Sequence, residues 1–202
     1  MKATRLVPLG LAWMVATAAP LVAQVRETAV FAGGCFWGVD AVFRHVRGVM
    51  HVVSGYSGGN AATARYELVS THLTGHAESV EVTFDPSQVS YDQLLRVFFT
   101  VAHDPTQRNR QGPDEGPQYR SVVFYATPEQ QRAALAMIAT LSSERAHGDP
   151  IVTEVVPLRA FYAAEAYHQD YLARHTTQPY IVFNDLPKLG ALNERFPELY
   201  RP

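Results

Sequence analysis

Apolar and polar positions alternate along this chain in blocks that switch between a period of two and a period near four. From Ala77 to Phe84, Val80, Val82 and Phe84 alternate with Ser79, Glu81 and Thr83. That is the pattern of a strand with one buried face. Residues 27–32 and 49–56 predict two more strands, the second ending in the turn Ser57, Gly58, Gly59, Asn60. Between them, residues 36–46 bring Val39, Val42, Phe43 and Val46 onto one helical face. Ser90 opens another helix with Gln93 three positions on, the spacing of a capping box. Its apolar face is Leu94, Leu95, Val97, Phe98 and Val101. Residues 103–118, opened by His103, Asp104 and Pro105, carry Gly112, Pro113, Gly116 and Pro117 and read as loop. A strand follows over 121–125. Thr127, Pro128, Glu129 and Gln130 then form a second capping pattern, with proline at the first helical position, and that helix runs towards His147. Residues 151–156 predict a strand stopped by Pro157, and 161–175 a helix. A proline-containing tail from Thr176 closes on a short helix over 188–196. This order of elements predicts an α+β fold, a two-layer α/β sandwich with a ferredoxin-like core.

The first 23 residues stand outside that pattern. Lys2 and Arg5 precede a mainly apolar stretch over residues 6–19, and small residues cluster over 16–23. This is the layout of a signal peptide, cleaved after Ala23 or, alternatively, after Ala19. The expected protein is exported, periplasmic or secreted. The apolar run is short for a membrane span and is broken by Pro8 and Gly10, so no stable membrane association is expected after cleavage. Residues 24–202 suit one domain. Formal net charge is −2 at pH 7 for the whole chain, and losing Lys2 and Arg5 takes it to about −4. No basic stripe is present to bind nucleic acid.

The chain has one cysteine in 202 residues, so no disulfide can form within it. Cys35 lies in Gly33-Gly34-Cys35-Phe36-Trp37-Gly38, between the first strand and the first helix. A thiol at a helix N-terminus meets free backbone N–H groups and the positive end of the helix dipole, and both favour the thiolate. Two preceding glycines permit a tight turn and close approach of a ligand. A lone cysteine commonly fills core space, but this one sits in a glycine-flanked turn and is destined for an oxidising compartment. Tyr66, Glu78, Asp114 and Tyr119 lie in turn-rich segments where functional groups concentrate. His51, His76 and His103 are formal bases for a cysteine hydrolase or acyltransferase, although no spacing selects one. A peptide-binding domain with a structural cysteine is the non-enzymatic alternative. His72 and His76 are four apart with no third ligand, and no metal site is predicted.

Gly34-Cys35-Phe36-Trp37-Gly38 resembles the signature of the peptide methionine sulfoxide reductase A family, which acts on the S epimer. The likeness continues through Gly55-Tyr56-Ser57-Gly58-Gly59, Thr74-Gly75-His76-Ala77-Glu78, His103-Asp104-Pro105, Gln118-Tyr119-Arg120-Ser121 and residues 164–172. It implies that Cys35 attacks the sulfoxide sulfur and that Phe36 and Trp37 hold the substrate methyl group. Glu78 would donate a proton to the sulfoxide oxygen, Tyr66 and Tyr119 would hydrogen-bond it, and Asp114 would orient substrate and local water. The chemistry accords with those roles. A sulfoxide oxygen leaves poorly unless protonated, and a carboxyl buried beside aromatics keeps its proton near neutral pH. Two phenols aimed at one oxygen act as an oxyanion hole does. The resemblance further implies no metal, no bound cofactor, and a monomer acting on oxidised proteins or free methionine sulfoxide. Cys35 would become a sulfenic acid, reduced by an external thiol: thioredoxin, glutaredoxin or glutathione, or a periplasmic thioredoxin-like protein. Many family members carry resolving cysteines near the C-terminus. Residues 176–202 contain none, which marks a single-cysteine type and alters the recycling route.

Overall fold

The computed structural model describes residues 25–202. The leader and its two cleavage points, at Ala19 and Ala23, lie outside the described residues. In chain order the elements are β1 (Glu27–Ala32), α1 (Phe36–Arg44), β2 (Val49–Ser57), α2 (Tyr66–Val69), β3 (Ala77–Phe84) and α3 (Tyr91–Val97). There follow β4 (Arg110–Gln111), β5 (Asp114–Glu115), β6 (Val122–Tyr125), α4 (Pro128–Ser143), β7 (Glu154–Pro157), β8 (Phe161–Ala163), α5 (Tyr171–Arg174) and α6 (Leu186–Arg195).

Six strands form one sheet in the order β7-β6-β1-β3-β2-β8. β1 pairs antiparallel with β3 and β6, and β3 pairs antiparallel with β2. With α1 crossing from β1 to β2 and α3 lying between β3 and β6, these four strands are the expected ferredoxin-like βαββαβ core. β7 extends it in parallel beside β6, and β8 pairs antiparallel with β2 at the other edge.

The core follows from the alternation along β1. Ala29 and Phe31 face α1 and α3; Phe31 stacks on Phe43 of α1 at 5.2 Å and on Phe98, at the C-cap of α3, at 4.9 Å between ring centroids. Val30 and Ala32 face the other way, with Ala77, Val122 and Phe124. That second cluster changes the reading of β3. Its first four residues, Ala77 to Val80, are buried on both faces, rather than on one as alternation predicted. Glu78 therefore enters the interior.

Ser90 and Gln93 form the reciprocal capping box predicted for α3. At α4 only half of the second pattern forms. Thr127 accepts from the Gln130 backbone, but the Gln130 side chain accepts from Ala126 N–H at 2.8 Å and donates to Thr28 O at 2.7 Å. It ties α4 to β1 instead of closing the box.

The largest departure is over 161–175. In place of one helix there are β8, a 3₁₀ turn (Ala166–His168) and α5. The free edge of β2 accounts for this. Gly55 has no side chain, and Phe161 fills the space: a Cβ there would lie 2.4 Å from Phe161 Cζ. Gln169 then bonds both the N–H and the C=O of Ser54, each at 2.9 Å. Hydrogen bonds to the sheet edge outweigh helical propensity. The tail is also more ordered than predicted. A π-helical turn (Ile181–Asp185) runs directly into α6, which packs on α1.

Candidate active site

Cys35 is the N-cap of α1, and its side chain makes no capping hydrogen bond. Gly34 before it has φ +91°, and a Cβ there would fall 2.5 Å from Gln111 Cγ, so the turn requires glycine. Gln111 is itself fixed by two 3.0 Å hydrogen bonds to the Asp104 backbone. The result is a thiol only 9 % exposed at the start of a helix.

Glu78 reaches the same point from β3. Its Oε2 accepts from the Phe36 N–H at 3.1 Å, one of the first-turn donors that α1 leaves unpaired. Burial pushes the carboxyl up to about 8. The Phe36 hydrogen bond opposes that rise, and Asp114 adds to it. Below that pH Glu78 is a neutral acid, as required of a proton donor.

The thiol departs from expectation. Burial raises its pKa well above the ordinary thiol value, and the charges of Glu78, Asp185 and Asp114 raise it further. The Trp37 backbone N–H is the opposing influence. The helix terminus acts in the direction predicted, but desolvation outweighs it, and the carboxyls of Glu78, Asp185 and Asp114 add to the rise where they are ionised. In the resting site Cys35 is a thiol.

Tyr66 and Tyr119 close the cluster. Each is half-buried, and in each the phenol is raised first by burial and then by the charge of Glu78. Cys35 and Asp114 act on both, so all five polar residues named from sequence share one electrostatic neighbourhood. Tyr66 does not sit in open loop as predicted. It is the first residue of α2, where its N–H donates to Glu165 Oε1 at 2.9 Å. The other Glu165 oxygen accepts from Tyr56 OH at 2.9 Å. Asp114, on the short β4–β5 hairpin, accepts a hydrogen bond from Tyr180 OH.

Phe36 and Trp37 form the aromatic side of the site. Trp37 stacks face to face on Tyr171 with centroids 3.7 Å apart, and Tyr180 meets it edge-on at 6.1 Å. Its indole N–H donates to His168 Nδ1 at 3.1 Å. The His168 ring also packs on Phe36 at 4.9 Å and on Tyr66 at 4.6 Å. One buried histidine thus joins the aromatic wall to the phenol wall. The sequence reading assigned no role to Tyr56, Glu165, His168, Tyr171 or Tyr180. Tyr56 falls within the motif of residues 55–59, and Glu165, His168 and Tyr171 within the matching segment 164–172; only Tyr180 had no such signal.

The histidines do not supply a hydrolase base. His51 is exposed. His76 contacts Gly59 N and Asn60 O, and His103 contacts Phe98 O and Ser121 Oγ, so both rings are fully engaged. Among the described residues no hydrogen bond joins a histidine to Cys35. His72 is exposed with φ 69° while His76 is buried, and no cluster of three or more metal-ligating side chains occurs among the described residues.

A thiol facing a protonated acid, beside a fixed aromatic wall on a ferredoxin-like scaffold, defines a thiol-dependent oxidoreductase of the oxygen-removing kind. The family described as peptide methionine sulfoxide reductase matches residues 27–199, and the chain belongs to it. It is 56 % identical over 174 residues to peptide methionine sulfoxide reductase MsrA 2 of Mesorhizobium japonicum, covering 86 % of this chain and 89 % of that protein. Against a peptide methionine sulfoxide reductase MsrA of Thermus thermophilus, identity is 49 % over 177 residues, covering 88 % of this chain and 99 % of that one. Methionine sulfoxide reductase A of Corynebacterium diphtheriae superposes with a TM-score of 0.70 at 36 % identity, over 76 % of each chain. Reduced Mxr1 of Saccharomyces cerevisiae superposes equally well, with a TM-score of 0.70 at 29 % identity, over 76 % of this chain and 87 % of that one.

Proposed function

We infer that the chain is a peptide-methionine (S)-S-oxide reductase that returns methionine sulfoxide, in proteins or free, to methionine at the expense of thiols. The observation that carries the reading is the buried Glu78 carboxyl, held on the Phe36 N–H at 3.1 Å at the N-terminus that Cys35 caps.

Cys35 attacks the sulfoxide sulfur while Glu78 passes its proton to the sulfoxide oxygen and takes up the thiol proton; the S–S bond so formed breaks as the hydroxyl moves to the Cys35 sulfur. Tyr66 and Tyr119 hydrogen-bond that oxygen as negative charge builds on it. The substrate sulfur gains two electrons and leaves as the thioether. The Cys35 sulfur loses two electrons and keeps the oxygen as a sulfenic acid. Asp114, fixed by Tyr180, orients substrate and water. The methyl group lies against Phe36 and Trp37. With methyl and oxygen positions both set, the direction of attack selects one configuration at sulfur, the S epimer.

Recycling uses external thiols. One thiol attacks the sulfenic acid to form a mixed disulfide and water; a second releases Cys35 and carries away the disulfide. No second cysteine exists to do this within the chain. A thioredoxin-like protein, glutaredoxin or glutathione suits the step, and export makes a periplasmic thioredoxin-like protein the natural donor. On this reading residues 1–23 are the cleaved signal, and residues 24–202 act as a monomeric enzyme in the periplasm or outside the cell.

The test is turnover of peptides carrying methionine-S-sulfoxide or methionine-R-sulfoxide with dithiothreitol as reductant. The S peptide is reduced and the R peptide is nearly untouched. Equal rates on both would overturn the assignment.

A further inference from the structure

Apart from Lys2 in the leader, Lys188 is the only lysine in the sequence. All other cationic side chains of residues 24–202 are arginine or histidine. This single lysine lies in the first turn of α6, directly against α1. Its Nζ is 3.2 Å from Asp185 Oδ1, and the Asp185 side chain is fully buried. The pair rests on the backbone of Gly38, three residues after Cys35. A Cβ at Gly38 would lie 2.1 Å from Asp185 Oδ1 and 2.6 Å from Lys188 Nζ. Gly38 thus admits a charged pair to the first turn of the catalytic helix. The second Asp185 oxygen, Oδ2, is buried without a hydrogen-bond partner among the described residues. A pair serving only to clamp α6 onto α1 leaves that orphan unexplained, because a half-satisfied buried carboxylate is costly.

The surrounding charges give the pair a task. Cys35 is faced by Glu78 from β3, Asp114 from β5 and Asp185 from the turn before α6, and all three oppose the thiolate. The phenols of Tyr66, Tyr119 and Tyr180 complete the group and are neutral. His103 under Gly33 is held neutral by burial, its pKa down to about 3. Lys188 is the cation that acts on Asp185, Asp114 and His103 at the edge of this group. Burial raises Asp185 and Asp114 above the usual carboxyl range, and the Lys188 charge opposes that rise; it adds to the burial that keeps His103 neutral.

We propose that Lys188, seated by Asp185 on Gly38, is a positioning residue for Cys35 whose charge supports the thiolate as it forms against the surrounding carboxylates. The proposal rests on Cys35 being the nucleophile. An ammonium suits the place better than a guanidinium, because it is a compact point charge.

The test is the pH dependence of Cys35 alkylation by iodoacetamide, followed by intact mass from pH 6 to 11. Alkylation reads the thiolate independently of sulfoxide chemistry. In Lys188→Met the midpoint rises by about one pH unit, tenfold in thiolate fraction near neutral pH. In Asp185→Asn it falls, and the double variant returns towards the starting value. A shift of both single variants in the same direction, or no shift in either, overturns the proposal. A second measurement needs no substitution at the pair. Reductive methylation with ¹³C-formaldehyde labels Lys188 and the N-terminus and keeps the ammonium charge. The Lys188 resonance shows a step at the Cys35 midpoint that disappears in Cys35→Ala; a resonance without that step overturns the proposal. Failure of the nucleophile reading shows separately, as sulfoxide reduction that survives complete alkylation of Cys35.

Discussion

Replacing Glu78 with glutamine separates the cost of burying an acid from what that acid does. In the unfolded chain the carboxyl loses its proton near pH 4.5; in the folded protein it keeps it to about pH 8. Between those values the folded state holds one more proton than the unfolded state. Stability from this residue therefore falls as pH rises, and levels off above about 8. The full span amounts to about 5 kcal/mol, of which about 3 is already lost at pH 7. Glutamine has no proton to lose and can still accept from the Phe36 N–H. Glu78→Gln should therefore gain stability relative to the parent as pH rises from 5 to 9. Asp40 is raised to about 6, chiefly by burial, and titrates in both proteins, so it cancels in the difference. Urea unfolding across that pH range measures the gain. At pH 7 the same variant should reduce sulfoxide more slowly by on the order of 10²- to 10⁴-fold in a single turnover with excess enzyme. Parallel stability curves would refute a neutral buried acid. An unchanged rate would pass the proton to Tyr66 or Tyr119.

Trp37→Ala removes the ring held between Tyr171 and His168 and should weaken kcat/KM for the S epimer by roughly 1–3 kcal/mol of lost apolar contact; a change below twofold in steady-state kinetics would exclude the ring from the methyl pocket. In cells the mature protein should begin after Ala23 or Ala19, and N-terminal sequencing distinguishes the two, whereas a chain beginning at Met1 would rule out the leader.

What could be read from sequence followed what is local. The strand-glycine-cysteine-helix order, the capping box at Ser90 and the alternation of β3 are each specified within a few residues. Cys35, Glu78 and Tyr119 were legible through short motifs, Tyr66 and Asp114 through turn-rich segments and the family resemblance, and the fold brings the other four around Cys35. Features set at long range were not legible. Tyr180 bonds Asp114 across 66 positions, and Asp185 reaches Gly38 from a segment that reads only as a tail. The 161–175 segment has helix-forming residues, but the open edge of β2 claims its first part as β8. The thiol shows the same division. The helix terminus that favours thiolate is visible in sequence; the burial that outweighs it, and the three carboxyls that converge from β3, β5 and the turn before α6, are not.

The central claim is that oxygen passes from the substrate to Cys35. One measurement tests it directly: the full-length mature chain, freshly reduced and freed of reductant, is mixed with excess methionine-S-sulfoxide peptide, then analysed for methionine formed and for the state of Cys35 by intact mass with dimedone. The account predicts one methionine per chain and a dimedone adduct on Cys35, with neither in Cys35→Ser. Methionine formed while Cys35 remains an unmodified thiol would contradict it.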